Sequence, residues 1–263
     1  MDAVVAGAAL LLVAGGLAHA CVTHRAFVAQ HPQNLAWIAL SLLAGFLTFL
    51  ANGVVGPRGR VLLWAGYGTF AMLAGFNVQG LVNGSIARLV PPPERGALTF
   101  LALGVGAGAC QTLGKWLMVA ILSRVHQPGR RADLLAMGLA VGLGFGLSEV
   151  VFIGTRVIEA QTPITGLGVI GIWERAAAVG FHVYSAGLVA AALALRRAWP
   201  IALVVVVHGL EDWLAGAVGA GVLAIPIVVL EGIYTVATVG VWLAFRRAAR
   251  GVARGASSHG TPQ

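Results

Sequence analysis

Three consecutive apolar segments each carry a group that could do chemistry. Glu149 lies in GLGFGLSEVVFIG, His182 in WERAAAVGFHVYSAGLV, and His208 with Asp212 in VVVHGLEDWLAG. A carboxylate can take a proton from water while imidazoles donate hydrogen bonds to the oxyanion that forms. Alternatively, Glu149, His182 and His208 supply the usual donors for a zinc ion that activates the water itself. Spacing leaves both chemistries open, because the donors sit on separate segments and the His-Glu-x-x-His signature is absent. Arg175 and His182, seven residues apart, share a helical face with Ser185 one turn further on. Glu174 lies on the neighbouring face, and His208 and Asp212, four apart, stack on one side of their helix.

The segments that must position these residues are membrane spans. The chain has 263 residues, 59% of them hydrophobic and 10% charged, with 37 glycines, and a mean hydropathy of +0.89. A soluble domain carries about 25% charged residues. Spanning a bilayer takes about 20 apolar residues per helix, and the alternating strands of a membrane β-barrel are absent. The expected fold is therefore an all-α polytopic integral membrane protein with eight transmembrane helices, near 3–22, 35–55, 61–82, 97–123, 134–155, 172–195, 199–218 and 222–245. Residues 1–245 form one helical domain, and 246–263 a basic cytoplasmic tail expected to be disordered. The last two spans are separated only by GAVGAG, and GLGVIGI before Trp173 reads as a re-entrant or interfacial piece. The first span reads as a retained helix rather than a cleaved leader, because MDAVV carries an acid and no base.

The formal charge of +8 does not imply nucleic acid. With the N-terminus inside, the inner connectors and tail hold Arg58, Arg60, Arg124, Arg130, Arg131, Arg196, Arg197, Arg246, Arg247, Arg250 and Arg254. The outer loops hold Arg25, Arg88, Arg95 and Arg156, which is the positive-inside pattern. Both termini are thus expected in the cytoplasm, in a bacterial plasma membrane, with the tail against anionic lipid. No soluble segment gathers a basic patch for nucleic acid. The cysteines Cys21 and Cys110 form no CxxC pair.

Five of the nine acids, Glu149, Glu174, Glu211, Asp212 and Glu231, fall within spans, as do Arg175, His182, His208 and the single lysine, Lys115. A charge at mid-bilayer costs about 2.5–3.5 kcal/mol on insertion scales, so such groups mark function by default. The topology puts Glu149, His182 and His208 at similar depth in the middle to outer half of the bilayer, with Asp212 about one turn further out. Glu231, Thr235 and Thr238 line one face of the last span and are expected to bond to a neighbouring helix. Asn77, Gln79 and Asn83 in GFNVQGLVNG are expected near the outer interface.

WERAAAVGFHVYSAGLV followed by VVVHGLEDWLAG resembles the YhfC family of predicted intramembrane proteases, related to PrsW and to the CPBP group that includes the CAAX prenyl endopeptidases. The resemblance spans about 108–216 and implies a protease-like helical core at about 97–218. It also implies an endopeptidase acting on membrane-anchored or transmembrane proteins, with Glu149 as base or ligand and His182 and His208 as oxyanion donors or ligands. Asp212 would orient His208, and Glu174, Arg175, Lys115 and Ser185 would form a supporting layer. The family opens with a Glu-Glu pair followed a turn later by Arg or Lys. Here GACQTLGKWLMV keeps Lys115 but has Cys110, Gln111 and Thr112 where the glutamates should be. Phe145 stands where such sequences tend to have His. Neither Gln nor Thr is a general base near neutral pH.

Three functions fit these residues. One is an intramembrane endopeptidase. A second is a non-catalytic relative serving as membrane scaffold or binding partner, its charges paired between helices, Lys115 with Glu149 for instance. A third is a proton-coupled transporter, since intramembrane Glu, Asp and His also build relays; no inverted repeat supports it. No phosphate-loop or dinucleotide motif is present.

Overall fold

The computed structural model describes residues 2–50, 58–91, 94–128, 131–164 and 168–257. Among them nine helices and no strand are found: α1 (Asp2–Thr23), α2 (Arg25–Gln30), α3 (Gln33–Leu50), α4 (Arg58–Leu89), α5 (Ala97–Val125), α6 (Arg131–Glu159), α7 (Gly168–Leu195), α8 (Trp199–Gly219) and α9 (Ile227–Ser257). All but the six-residue α2 contain a stretch long and apolar enough to cross a membrane, eight in total. The chain is an all-α polytopic membrane protein.

The sequence dictates which helices lie at the centre. α6 and α7 are apolar on nearly every face and are the most buried spans, as helices apolar all round must be. α6 packs on α4 and α7, α7 on α3 and α9, and α5 on α8. Two apolar clusters flank the α6–α7 pair: one includes Phe181, Leu188, Val204 and Phe245, the other Trp64, Met118, Met137, Phe145 and Val189.

With no hydrophobic force between helices in lipid, close packing rests on small residues. The glycines of GLGFG and Gly68 of α4 supply it. A Cβ on Gly144 would lie 1.7 Å from the Ala65 carbonyl oxygen, one on Gly68 2.0 Å from that of Val141, and one on Gly142 2.3 Å from that of His182. Backbone therefore touches backbone across α4, α6 and α7. The last of these contacts sets the depth of His182 against α6.

Three features differ from the sequence reading, and one agrees with it. α4 continues helically past residue 82 to Leu89. Gly168 to Trp173 forms the opening of α7 rather than a separate re-entrant piece; residues 165–167 lie outside the described residues. The weak split at GAVGAG is real: α8 ends at Gly219, Gly221 has φ +72°, and α9 starts after Pro226. The basic segment, expected to be disordered from 246, is helical to Ser257, and 258–263 lie outside the described residues. Ala and Arg favour helix, and the spacing of Val241, Phe245, Ala248 and Val252 gives α9 a buried stripe, leaving Arg246, Arg247, Arg250 and Arg254 exposed opposite it.

Candidate functional site

Glu149 on α6 and His182 on α7 meet: His182 Nε2 is hydrogen-bonded to Glu149 Oε2. The other carboxylate oxygen, Oε1, lies 3.9 Å from Arg175 Nη1, two turns before His182 on the same face of α7. Arg175 also grips Glu174 with two N–H groups. α8 brings His208 alongside, its ring 5.4 Å from that of His182 and edge-on to it, with Phe181 edge-on to both. His208 Nε2 and Asp212 Oδ2 are 3.8 Å apart, an ion-pair distance rather than a hydrogen bond. The four residues singled out as catalytic, Glu149, His182, His208 and Asp212, thus share one site with Glu174 and Arg175.

These groups line a cavity of about 90 Å³, with room for a few water molecules. The lining also includes Phe181, Glu211, Tyr234 and Thr238, none of which the sequence reading placed in the site. Tyr234 donates to the Glu211 carbonyl at 3.1 Å and Thr238 to the Ala177 carbonyl at 3.2 Å, tying α9 to α8 and α7. The expected inter-helix bond from this face of α9 is therefore made by Thr238, whereas Thr235 bonds within its own helix to the Glu231 carbonyl. The available signal for Tyr234 was its place three residues after Glu231, on one helical face.

Lys115 is not paired with Glu149. It is fully buried, and its Nζ donates to Ser185 Oγ at 3.0 Å while lying 4.7 Å from the Phe145 ring centre and 5.5 Å from that of Phe181. Phe145 thus forms one wall of an aromatic cage around the cation. It also packs on His182 at 4.6 Å between ring centres. Substituting the lysine separates charge from volume. Lys115→Met keeps the volume and removes a buried charge, so it is expected to melt at or above the wild-type temperature. Lys115→Ala leaves a cavity and is expected to lose about 2–5 kcal/mol. Melting of the detergent-solubilised protein followed by tryptophan fluorescence checks both.

Cys110, Gln111 and Thr112 are not among the residues lining the cavity. Gln111 instead donates to Gln79 of α4 at 3.0 Å, a bond between neighbouring helices.

No family model, curated protein or solved structure matches the chain.

The function must therefore be read from the site itself. Among the described residues, no three His, Cys, Asp or Glu side chains are placed to hold a metal ion. Glu149 directs one oxygen to His182 Nε2, so the zinc set of Glu149, His182 and His208 does not fit in this arrangement. The arrangement can accept a proton at a buried carboxylate–imidazole pair, and it can stabilise negative charge with Arg175 and an imidazole N–H.

Proposed function

We propose that the protein is an intramembrane endopeptidase of the YhfC, PrsW and CPBP kind, hydrolysing peptide bonds of membrane-associated proteins. The observation that carries this reading is the Glu149–His182 pair facing His208 and Asp212 across a small polar cavity between apolar helices. In the proposed reaction, Glu149 takes a proton from a water in the cavity. The resulting hydroxide adds to the substrate carbonyl carbon. Arg175 and the N–H of His208 face the oxygen as it becomes negative, with Asp212 beside His208 and His182 holding Glu149 in place. The proton then passes to the amide nitrogen as the C–N bond breaks. The arginine distribution supports a plasma-membrane protein with both termini in the cytoplasm.

The test is hydrolysis in heavy-oxygen water by the purified protein in liposomes, with a panel of single-span reporter peptides. One heavy oxygen is expected in the newly formed carboxylate of the N-terminal product, read by mass spectrometry. Intact reporters throughout the panel, with the protein folded, would sink the reading.

One observation favours a second reading, a non-catalytic relative that binds membrane partners. Gln111, at a position where the family has glutamate, is used in an α4–α5 hydrogen bond away from the cavity. The same experiment separates the two.

A further inference from the structure

Beside the catalytic cavity lies a larger chamber of about 390 Å³, bounded by the N-terminal parts of α7 and α9 and the C-terminal part of α8. It shares Glu174, Ala215 and Tyr234 with the catalytic cavity, so the two adjoin. Its size lies within the range of ligand sites, about 300–1,000 Å³. The walls include Ile170, Val218, Ile227 and Leu230, and no Lys, Arg or His lines it.

One carboxyl group in this mostly apolar chamber keeps an oxygen without a hydrogen bond among the described residues. Glu231 is only 4% exposed, and its Oε2 has no hydrogen-bond partner among the described residues. Glu174, the other carboxylate of the chamber, is held by Arg175, and that guanidinium is directed at Glu174 and Glu149. Arg175 lies within electrostatic reach of Glu231 but is bonded to Glu174, so the buried Glu231 Oε2 keeps no hydrogen bond, which is costly and calls for a cation of its own. An aliphatic stem ending in ammonium or guanidinium fits both features, its methylenes along the apolar walls and its head on the carboxylate.

Resting on the hydrolase reading above, we infer that this chamber is a specificity subsite that takes a lysine or arginine side chain of the substrate, one that flanks the scissile bond, with Glu231 as its counter-ion. A peptide is the occupant because the chamber opens beside the cavity where the peptide bond would lie, so one chain can fill both.

The experiment uses the full-length protein carrying Glu149→Gln as a non-cleaving trap, in nanodiscs of phosphatidylcholine. Fluorescent single-span peptides with Lys, Gln or Glu at positions flanking the reporter bond are titrated in, and Kd is read by anisotropy. The Lys peptide is expected to bind about tenfold more tightly than the Gln peptide. Glu231→Gln should level the two, and Glu231→Lys should transfer the preference to the Glu peptide. The inference is overturned if no peptide is preferred, or if the Lys preference survives Glu231→Gln. It is equally overturned if binding depends on added phosphatidylethanolamine rather than on peptide charge, which would make the occupant a lipid amine. The isosteric Gln variant keeps the test decisive should the Lys variant fail to fold. A Lys preference that depends on Glu231, in a wild-type protein that cleaves nothing, would refute the hydrolase reading while leaving cation recognition standing.

Discussion

Glu149→Gln is expected to lower peptide hydrolysis by about 10²–10⁴-fold, the usual contribution of a positioned general base. The substitution is nearly isosteric and removes the ability to take a proton from water. It should leave the fold intact, because the amide can still hydrogen-bond to His182 Nε2 in either ring tautomer and the α4–α6–α7 packing lies elsewhere. Glu149→Asp draws the carboxylate back by one methylene from both His182 and Arg175, so intermediate activity is expected. The measurement is the initial rate of reporter cleavage in liposomes at equal amounts of monodisperse protein. A Gln variant as fast as wild type would remove Glu149 from the mechanism and leave His182 or Asp212 as the group to examine.

Gly144→Val is expected to be the most damaging substitution to the fold. Even the first carbon of the new side chain would sit 1.7 Å from the Ala65 oxygen and 2.5 Å from its carbonyl carbon. Neither is the end of a flexible side chain, so α4 and α6 must move apart, taking Glu149 with them. Overpacking a core usually costs about 1–3 kcal/mol, and a clash with fixed backbone lies at or beyond the top of that range. Little folded protein is expected in detergent. Gly80→Ala is the control: it sits in α4, within the same helix pair, with nothing within 4 Å of its would-be Cβ. It should melt at or slightly above wild type, since Ala is favoured over Gly in helices by about 1 kcal/mol. Equal melting temperatures for Gly144→Val and wild type would show that α4 and α6 are not in backbone contact.

The spans were legible because long apolar runs broken by Arg, Pro and Gly leave few alternatives. The meeting of Glu149 with His182 was legible too, since burying a carboxylate and an imidazole at one depth on adjacent helices favours pairing them. The partner of Lys115 was not. A buried cation can be satisfied by a hydroxyl and two aromatic faces as well as by an acid, and pattern alone does not reveal which of these Ser185, Phe145 and Phe181 supply. The part played by α9 was hidden for a related reason. Tyr234 and Glu231 are ordinary residues for a helix interface, and only the packing of α7, α8 and α9 turns them toward the cavities. The helical tail was missed because its arginines outweighed the stripe of Phe245, Ala248 and Val252 beneath them.

α9 joins two regions that otherwise have nothing in common. At one end Glu231 and Tyr234 wall the larger chamber; at the other, Arg246, Arg247, Arg250 and Arg254 stand outward. Between them runs a single helix of 31 residues without proline, about 46 Å long at 1.5 Å per residue. Such a rod fixes the distance between its ends. Its Thr238 bond to Ala177 lies between the ends, and the buried stripe of Val241, Phe245, Ala248 and Val252 seats the arginine half in the core. The arginines and the chamber wall are thereby two ends of one continuous element.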